Sequence, residues 1–283
     1  MEKRSKNVLI LVAIIMASVI TVSGALYTSN IENNPFGWNY QELTLFSHSQ
    51  SNFTFSYSGD ERDDGGVFAK MINSINNNYP NLLFNINGGD LESDSSQLHS
   101  FDYQYISPGS TAHFDKPVLF VIGNHELIGD PTESLYQSIF GSPTYYNFTE
   151  NNSYFIVIDN ANGSLNETQL EWLNSQLNQS QKYKYRFVFM HIPLYTPSGE
   201  VEHSMNTTGP GGADALKTLF DANNVTMIFA SHIHNYYNGT WGKTPYIISG
   251  GAGAPPENNN PPNHQYIIVN VADNQITYSK INY

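Results

Sequence analysis

Cysteine is absent from the 283-residue sequence, and charged side chains make up only 13% of it. No disulfide can therefore brace the fold, and no thiolate is available as a metal ligand. The fold must depend on a buried core instead, and a chain of this length with 40% hydrophobic residues can form one. The sequence has no internal repeat, so we expect one domain beyond the N-terminal segment.

Positive charge is also scarce. The chain has 12 Lys and Arg against 25 Asp and Glu, and its formal net charge is -13. Nucleic-acid binders need basic faces that displace counterions from phosphates, so we expect no nucleic-acid partner. A polyanionic substrate would be repelled except at a local positive centre, and a bound metal ion would supply such a centre.

One long apolar run is present, at the start of the chain. Three basic residues precede an almost unbroken apolar stretch from Val8 to about Tyr27, close to the ~20 residues that a membrane-spanning helix needs. We interpret residues 1–28 as a signal anchor or a cleaved signal peptide, residues 29–50 as a linker and residues 51–283 as the functional domain. Both alternatives place the domain on the extracellular face of the cell membrane or in secreted form, with membrane contact through the N-terminal segment only. Repeated Asn-x-Ser/Thr sequons fit an extracellular glycoprotein.

Hydrophobic periodicity predicts alternating strands and helices through most of the chain, which indicates an α/β fold. Apolar residues at helical spacing predict helices over "GVFAKMINSINNN", "NETQLEWLNSQLNQ" and residues 213–223. The segments "TYYNF" and "SYFIVID" predict an antiparallel strand pair, and two late strands are expected at residues 265–271 and 275–281.

Five of the apolar runs end in a side chain of metal-ligand type. These side chains are Asp60, Asp90, Asn124, His191, and His232 with His234. In open α/β sheets the carboxyl ends of the strands line the ligand crevice, so we expect these side chains to converge. His232 and His234 are two residues apart, so in an extended segment both side chains point to the same side and suit adjacent ions. Carboxylate, amide oxygen and neutral imidazole suit Mn, Fe or Zn.

The order of these motifs resembles that of the calcineurin-like metallophosphoesterases, in particular the branch that contains the purple acid phosphatases. The chain contains "GDER", "GGDLESD", "GNHE", "FMHIPLY" and "SHIH" in the family's order, over residues 53–250. The connecting segments "TYYNFTENNSYFIVIDN" and "LNETQLEWLNSQL" are similar to that branch as well. The resemblance implies an α/β sandwich of two packed mixed β-sheets flanked by helices, with a metal site at the carboxyl ends of the strands.

The resemblance also implies a binuclear centre with two divalent or trivalent ions of Fe, Mn or Zn. Asp90 would bridge the two ions. The other ligands would be Asn124, His191 and His232 for one ion, and Asp60 and His234 for the other. Such a pair of ions can hold a hydroxide that is nucleophilic near neutral pH and clamp the phosphoryl oxygens for in-line attack.

The resemblance also implies catalytic roles for the two residues that follow Asn124. His125 would hydrogen-bond the phosphoryl or leaving-group oxygen, with general acid catalysis as a further role. Glu126 would orient the ring of His125.

Three positions depart from the family's pattern, the mildest being Ser231 in place of the glycine before His232. Arg62 stands where the first motif usually has a histidine ligand, and Ser93 stands where purple acid phosphatases have a tyrosine ligand. Arg62 could bind a phosphate oxygen of the substrate with its fork of donors, but its charge disfavours a nearby cation. The ion at Asp60 and His234 would then keep three protein ligands, with Asp90 as the third, and water or a neighbouring acidic residue would complete its coordination.

Histidines outside the motifs are expected at the surface or at caps. They are His48, His99, His113, His203 and His264. The expected function is an extracytoplasmic phosphoesterase that hydrolyses monoesters of small phosphorylated substrates by attack of a metal-activated hydroxide. A phosphodiesterase of the same fold, and a non-catalytic cell-surface binding domain with an impaired metal site, remain as alternatives. The intact histidine motifs favour an enzyme, and Arg62 favours the binding domain.

Overall fold

The computed structural model describes most of the chain beyond the N-terminal segment. The described residues are 37–45, 52–62, 66–106, 110, 112–197, 203–256 and 263–283. The predicted signal anchor or signal peptide, residues 1–28, lies outside these ranges, as do residues 29–36 and 46–50 of the predicted linker. Within them, no helix combines the length and the apolar character needed to cross a bilayer.

Eleven strands in the described ranges form two mixed sheets. The strands are β1 Phe53–Ser58, β2 Phe84–Asn87, β3 Val118–Phe120, β4 Tyr146–Glu150, β5 Ser153–Val157, β6 Tyr185–Phe189, β7 Met227–Ala230, β8 Tyr236–Trp241, β9 Thr244–Ser249, β10 Gln265–Val271 and β11 Ile276–Asn282. One sheet has the order β11-β10-β1-β2-β3 and the other β4-β5-β6-β7-β9-β8. The neighbours β1, β2 and β3 are parallel, as are β5, β6, β7 and β9, whereas the other pairs are antiparallel.

Six α-helices flank these sheets in the part of the chain that is described. They are α1 Trp38–Leu43, α2 Val67–Asn78, α3 Leu98–Phe101, α4 Ser134–Phe140, α5 Glu167–Gln179 and α6 Ala213–Ala222. The buried residues of α2 are Phe68, Met71, Ile72 and Ile75. Their spacing places them on one face of the helix, as the sequence pattern predicts. The expected α/β fold of two mixed sheets with flanking helices is confirmed.

The predicted antiparallel pair is confirmed as β4 and β5, in which Phe148 lies opposite Phe155. Strand β8 is not predicted from the sequence. Three of its six residues are exposed and one is buried, so "YYNGTW" shows no alternation of buried and polar positions. It forms only because its backbone pairs with β9.

Aromatic side chains fill the space between the two sheets. Phe55 of β1 is fully buried at their centre. Its ring centroid lies 5.3 to 6.1 Å from the rings of Phe84, Phe155, Phe187, Phe189 and Phe229. Four of these contacts are edge-to-face, an arrangement that the ring quadrupoles favour. This packing holds the carboxyl ends of strands from both sheets at a fixed separation.

The linker prediction for residues 29–50 is wrong over residues 37–45, because these residues pack onto β3. The indole N–H of Trp38 donates to the carbonyl oxygen of Val118 at 2.9 Å. The side chain of Asn39 accepts from the backbone N–H of Phe120 and donates to its carbonyl oxygen. Helix α1 thus satisfies the free edge of β3, and residues 37–45 belong to the same compact unit as the strands.

Replacing Phe55 by alanine would remove the ring at the centre of the aromatic core. We expect Phe55→Ala to lower the free energy of unfolding by about 3–5 kcal/mol, because the surrounding rings cannot close the cavity. Urea titration followed by tryptophan fluorescence measures this loss. Tyr103→Ala is the matched control, since Tyr103 is 77% exposed and its loss should change stability by less than ~0.5 kcal/mol. Equal losses in the two variants would contradict the prediction.

Candidate metal centre

The side chains that the sequence places at strand ends meet at one edge of the sandwich. Asp60, Asp90 and Asn124 follow β1, β2 and β3, and His191 and His232 follow β6 and β7. Each lies two to four residues beyond the last residue of its strand. The strands concerned are parallel within each sheet, so their carboxyl ends lie on the same side of the molecule.

Several site residues have a left-handed backbone. The φ angle is 63° at Asp60, 58° at Asp90 and 70° at His232. This conformation is uncommon outside glycine, and residues held in it cluster at functional sites. A hydrogen bond offsets part of the conformational cost, since the backbone N–H of His232 donates to Oδ2 of Asp60 at 2.7 Å. The two strand ends are therefore tied directly to each other.

His191 is the centre of the first group of candidate ligands. Its Nδ1–H donates to the carbonyl oxygen of Gly88 at 2.8 Å, because a carbonyl oxygen can only accept. Its Nε2 therefore faces the site, 3.1 Å from Oδ1 of Asp90 and 3.1 Å from Oδ1 of Asn124. Three potential ligand atoms thus lie together, and Oδ1 of Asp90 also accepts the backbone N–H of His125 at 2.9 Å.

The negative charge of Asp90 favours the protonated form of His191. Burial by itself would lower the pKa of His191, but the carboxylates of Asp90 and Asp60 and the hydrogen bond to Gly88 together outweigh burial and raise it to about 9. Burial would raise the pKa of Asp90, yet His191, His125 and Arg62 hold it well below its usual range. The site therefore demands a cation beside Asp90, and a metal ion would replace the proton.

His232 completes this group. One ligand atom each from Asp90, His191 and His232 lie within 4.8 Å of one another. Burial, reinforced by the charge of His191, lowers the pKa of His232 to about 3, so its imidazole is neutral as a metal ligand requires. Its Nδ1 is buried and has no hydrogen-bond partner in the described part of the chain. With Asn124, these residues fit one divalent ion.

The second expected position, at Asp60 and His234, is different because Arg62 lies in it. The Nη2 of Arg62 is 2.5 Å from Nε2 of His234, and its Nη1 is 2.5 Å from Nε2 of His125. Its Nε lies 3.7 Å from Oδ2 of Asp90. Burial and then the charge of Arg62 lower the pKa of His234 to about 4. The residues present at this position hold a guanidinium, and they do not fit a second ion beside it.

His125 and Glu126 are both at the site, but Glu126 does not have the predicted role. The Nδ1–H of His125 donates to the carbonyl oxygen of Ser93 at 2.8 Å, and this bond orients the ring. The carboxylate of Glu126 instead accepts the backbone N–H groups of Asp90, Leu91 and Gly123 at 2.6 to 3.0 Å. The prediction that Glu126 steers His125 is therefore wrong. Glu126 shapes the loops that carry the ligands.

Two residues of the site are not predicted from the sequence. Nδ1 of His203 lies 3.4 Å from Nε2 of His232, although a surface position is expected for it. The side-chain oxygen of Asn160, which follows β5, accepts the backbone N–H groups of His191 and Ile192 at 3.0 and 3.2 Å. Its position after an apolar run, like that of the recognised ligands, is the signal that could have indicated Asn160. No comparable signal marks His203.

Ser231, which replaces the glycine of the family's last motif, fits because its neighbours are glycines. Its Oγ lies 2.8 Å from the hydroxyl of Tyr57, and it donates to the carbonyl oxygen of Ser249 at 3.2 Å. A Cβ added at Gly59 or Gly88 would overlap the Oγ of Ser231. The space left by these glycines thus accommodates the serine side chain next to His232.

Sequence comparison agrees with the class of protein that this fold and site define. The family described as "Calcineurin-like phosphoesterase" matches residues 66–236, more than half of the chain. The chain belongs to this family, and the resemblance to calcineurin-like metallophosphoesterases is confirmed. Membership implies divalent metal ions, which agrees with the group around His191.

Two curated relatives carry the name serine/threonine-protein phosphatase CPPED1. The protein from Rattus norvegicus is 24% identical over 49% of this chain and 48% of its own length. The protein from Danio rerio is 25% identical over 69% of this chain and 68% of its own length. The match to the rat protein thus spans about half of that relative.

Solved structures share the fold. A purple acid phosphatase from yellow lupin seeds superposes with a TM-score of 0.64 at 18% identity, over 84% of this chain and 54% of the lupin chain. GAP50, described as the anchor in the inner membrane complex of Plasmodium, superposes with a TM-score of 0.59 at 16% identity, over 82% and 85% of the two chains.

Gly59 and Ser231 should be coupled in stability. We expect Gly59→Ala to cost about 1–3 kcal/mol of unfolding free energy, because the new methyl group overlaps the hydroxyl of Ser231. Ser231→Gly in the same chain removes that hydroxyl and should recover most of the loss. Thermal and urea unfolding of both single variants and of the double variant measure the coupling. Losses that simply add would contradict the prediction.

Proposed function

We propose that the chain is a metal-dependent phosphoesterase that hydrolyses phosphate monoesters. The observation that carries this proposal is the cluster of Asp90, Asn124, His191 and His232, whose ligand atoms lie together at four strand ends. These residues would hold a divalent ion, which would supply Lewis acidity toward phosphoryl oxygens and a water made nucleophilic near neutral pH. The protein supplies the rigid frame, because each ligand follows a strand of the packed core.

The orientation of His125 suits a role at the leaving group. Its Nδ1–H is bound to the carbonyl oxygen of Ser93, so its Nε2 points into the site toward Arg62. Its side chain is 22% exposed, whereas that of His191 is fully buried, so His125 lies nearer the opening of the site. In this structure Nε2 accepts from Arg62, so donation from Nε2 to the leaving-group oxygen of a bound ester would require Arg62 to turn to the phosphoryl oxygens and His125 to carry a proton there.

Hydrolysis of monoesters is the finer part of the proposal. Both curated relatives are named serine/threonine-protein phosphatases, and phosphoserine and phosphothreonine are monoesters. A monoester carries more negative charge than a diester and gains more from an ion placed beside Arg62. The small phosphorylated substrate expected from the sequence is retained in this proposal.

An extracytoplasmic location is the second finer part. The apolar run over residues 8–27, with its basic flank, supports it, as do the sequons. Sequons at Asn147 and Asn238 fall on β4 and β8, where both asparagines are partly or fully exposed. Glycan attachment at either position would support export of the domain.

A non-catalytic binding domain is the second candidate function. Arg62 in the place of a metal ligand favours it, because a guanidinium cannot activate water. GAP50, which shares the fold, is described as an anchor. Turnover therefore has to be measured directly.

Loss of His191 should abolish both metal binding and turnover. We expect the full-length chain with added Mn, Zn or Fe to hydrolyse an aryl phosphate monoester, and His191→Ala to reduce kcat/KM at least ~100-fold. The reason is that His191 contacts both Asp90 and Asn124. Metal content by mass spectrometry should fall in parallel with the rate.

His113→Ala is the matched control for this experiment. Its imidazole is 56% exposed, and no contact in the described residues connects it with the strand ends of the site, so metal content and rate should match the unmodified chain. Faster hydrolysis of a bis-aryl phosphate than of the monoester would favour the diesterase instead. Metal binding without turnover on either ester would leave the binding domain as the function.

A further inference from the structure

We propose that the guanidinium of Arg62 takes the place of the second metal ion, so that the chain works with one bound ion and one built-in cation. This inference deepens the proposed function and relies on it for the first ion only. It differs from the two-ion centre that the sequence resemblance implies, and it follows from where Arg62 lies among its neighbours.

The guanidinium occupies the space that a second ion would need. Its Nη2 and Nη1 are each 2.5 Å from an imidazole nitrogen, of His234 and His125 respectively. Its Nε is 3.7 Å from Oδ2 of Asp90, the carboxylate expected to bridge two ions. Oδ1 of Asp60 lies 3.6 Å from the same nitrogen of His234, on the edge of this space. An ion bound by Asp60, Asp90 and His234 would overlap the guanidinium.

The tautomer of His234 supports the assignment. Its Nδ1–H donates to the carbonyl oxygen of Pro255 at 2.6 Å, so only Nε2 has a lone pair to offer. That lone pair faces Nη2 of Arg62. Since an arginine side chain is a donor without acceptors, this contact uses the atom through which His234 would bind metal.

Charge balance leads to the same conclusion. Asp60 and Asp90 are 0% and 1% exposed, and two buried carboxylates need positive charge nearby. Arg62 brings one permanent charge beside them, and a divalent ion at the same place would be repelled by it. The group around His191 is a separate set of ligand atoms, where the other ion fits.

The guanidinium would also contribute to substrate binding. Its side chain is 17% exposed, so it reaches the opening of the site next to His125. A planar fork of N–H donors matches two oxygens of a phosphoryl group, and a permanent charge there stabilises them without an ion. Arg62 thus keeps the substrate-binding role suggested by the sequence, in addition to replacing a ligand.

Metal stoichiometry tests the proposal, with a spectroscopic readout that is independent of activity. The full-length chain and Arg62→His are freed of metal, reconstituted with Mn(II) and analysed for bound Mn per chain. We expect one ion in the unmodified chain, with the electron paramagnetic resonance signal of an isolated Mn(II). We expect two ions in Arg62→His, with the signal of an exchange-coupled pair, because Asp60, Asp90, His234 and the new imidazole then face an open position.

His234→Ala supplies the control in both backgrounds. It should remove the second ion from Arg62→His and leave one ion in the chain that keeps Arg62. Arg62→Gln is a second variant that removes the charge while retaining a polar side chain of similar reach, and it should also admit a second ion at higher Mn(II) concentration. Folding of each variant is checked by circular dichroism.

The outcomes separate this inference from the proposed function. Two ions in the unmodified chain, or one ion in both folded Arg62 variants, would overturn the role of Arg62 while leaving a metal-dependent phosphoesterase intact. No bound ion in the unmodified chain, together with no turnover, would overturn the proposed function itself. One ion in the unmodified chain and two in Arg62→His would establish the built-in cation.

Discussion

Two buried carboxylates lie at neighbouring strand ends, Asp60 and Asp90. Their need for nearby positive charge is the constraint on which the rest of the site depends. Neither can remain ionised out of water unless positive charge lies beside it. Asp90 has His191 on one side and Arg62 on the other. The pKa of Asp60 is raised because its burial and the charge of Asp90 outweigh the nearby cations. The protein thus concentrates demand for cations at one edge of the sandwich, within a chain whose net charge is -13.

The backbone around these carboxylates is held in place from several directions. Left-handed φ angles at Asp60, Asp90 and His232 cost about 1–3 kcal/mol each, so the surrounding structure must impose them. Glu126 does part of this by accepting three backbone N–H groups, and burial followed by the charge of Asp90 raises its pKa. The aromatic core around Phe55 also holds this backbone in place, because it keeps both sheets at a fixed separation.

Much of the architecture could be predicted because it depends on local patterns. Apolar runs with ligand-type residues at their ends identified the strands that carry the site and six candidate ligands, and the structure brings these six side chains to one edge. The helix Trp38–Leu43 was missed, since its packing on β3 depends on hydrogen bonds from Trp38 and Asn39 that no periodicity reveals. The role of Glu126 was misassigned because proximity in sequence to His125 does not determine which amides its carboxylate reaches.

The sequence by itself determined the fold class, the family and the types of ligand available, because these follow from hydrophobic period and from motif order along the chain. It also showed that Arg62 stands where a histidine ligand is usual. Only the tertiary structure decided where that guanidinium lies, between His125, His234 and Asp90, and that His203 comes close to His232. Such contacts join residues more than 25 positions apart, and their geometry depends on how the two sheets pack, which a linear pattern does not encode.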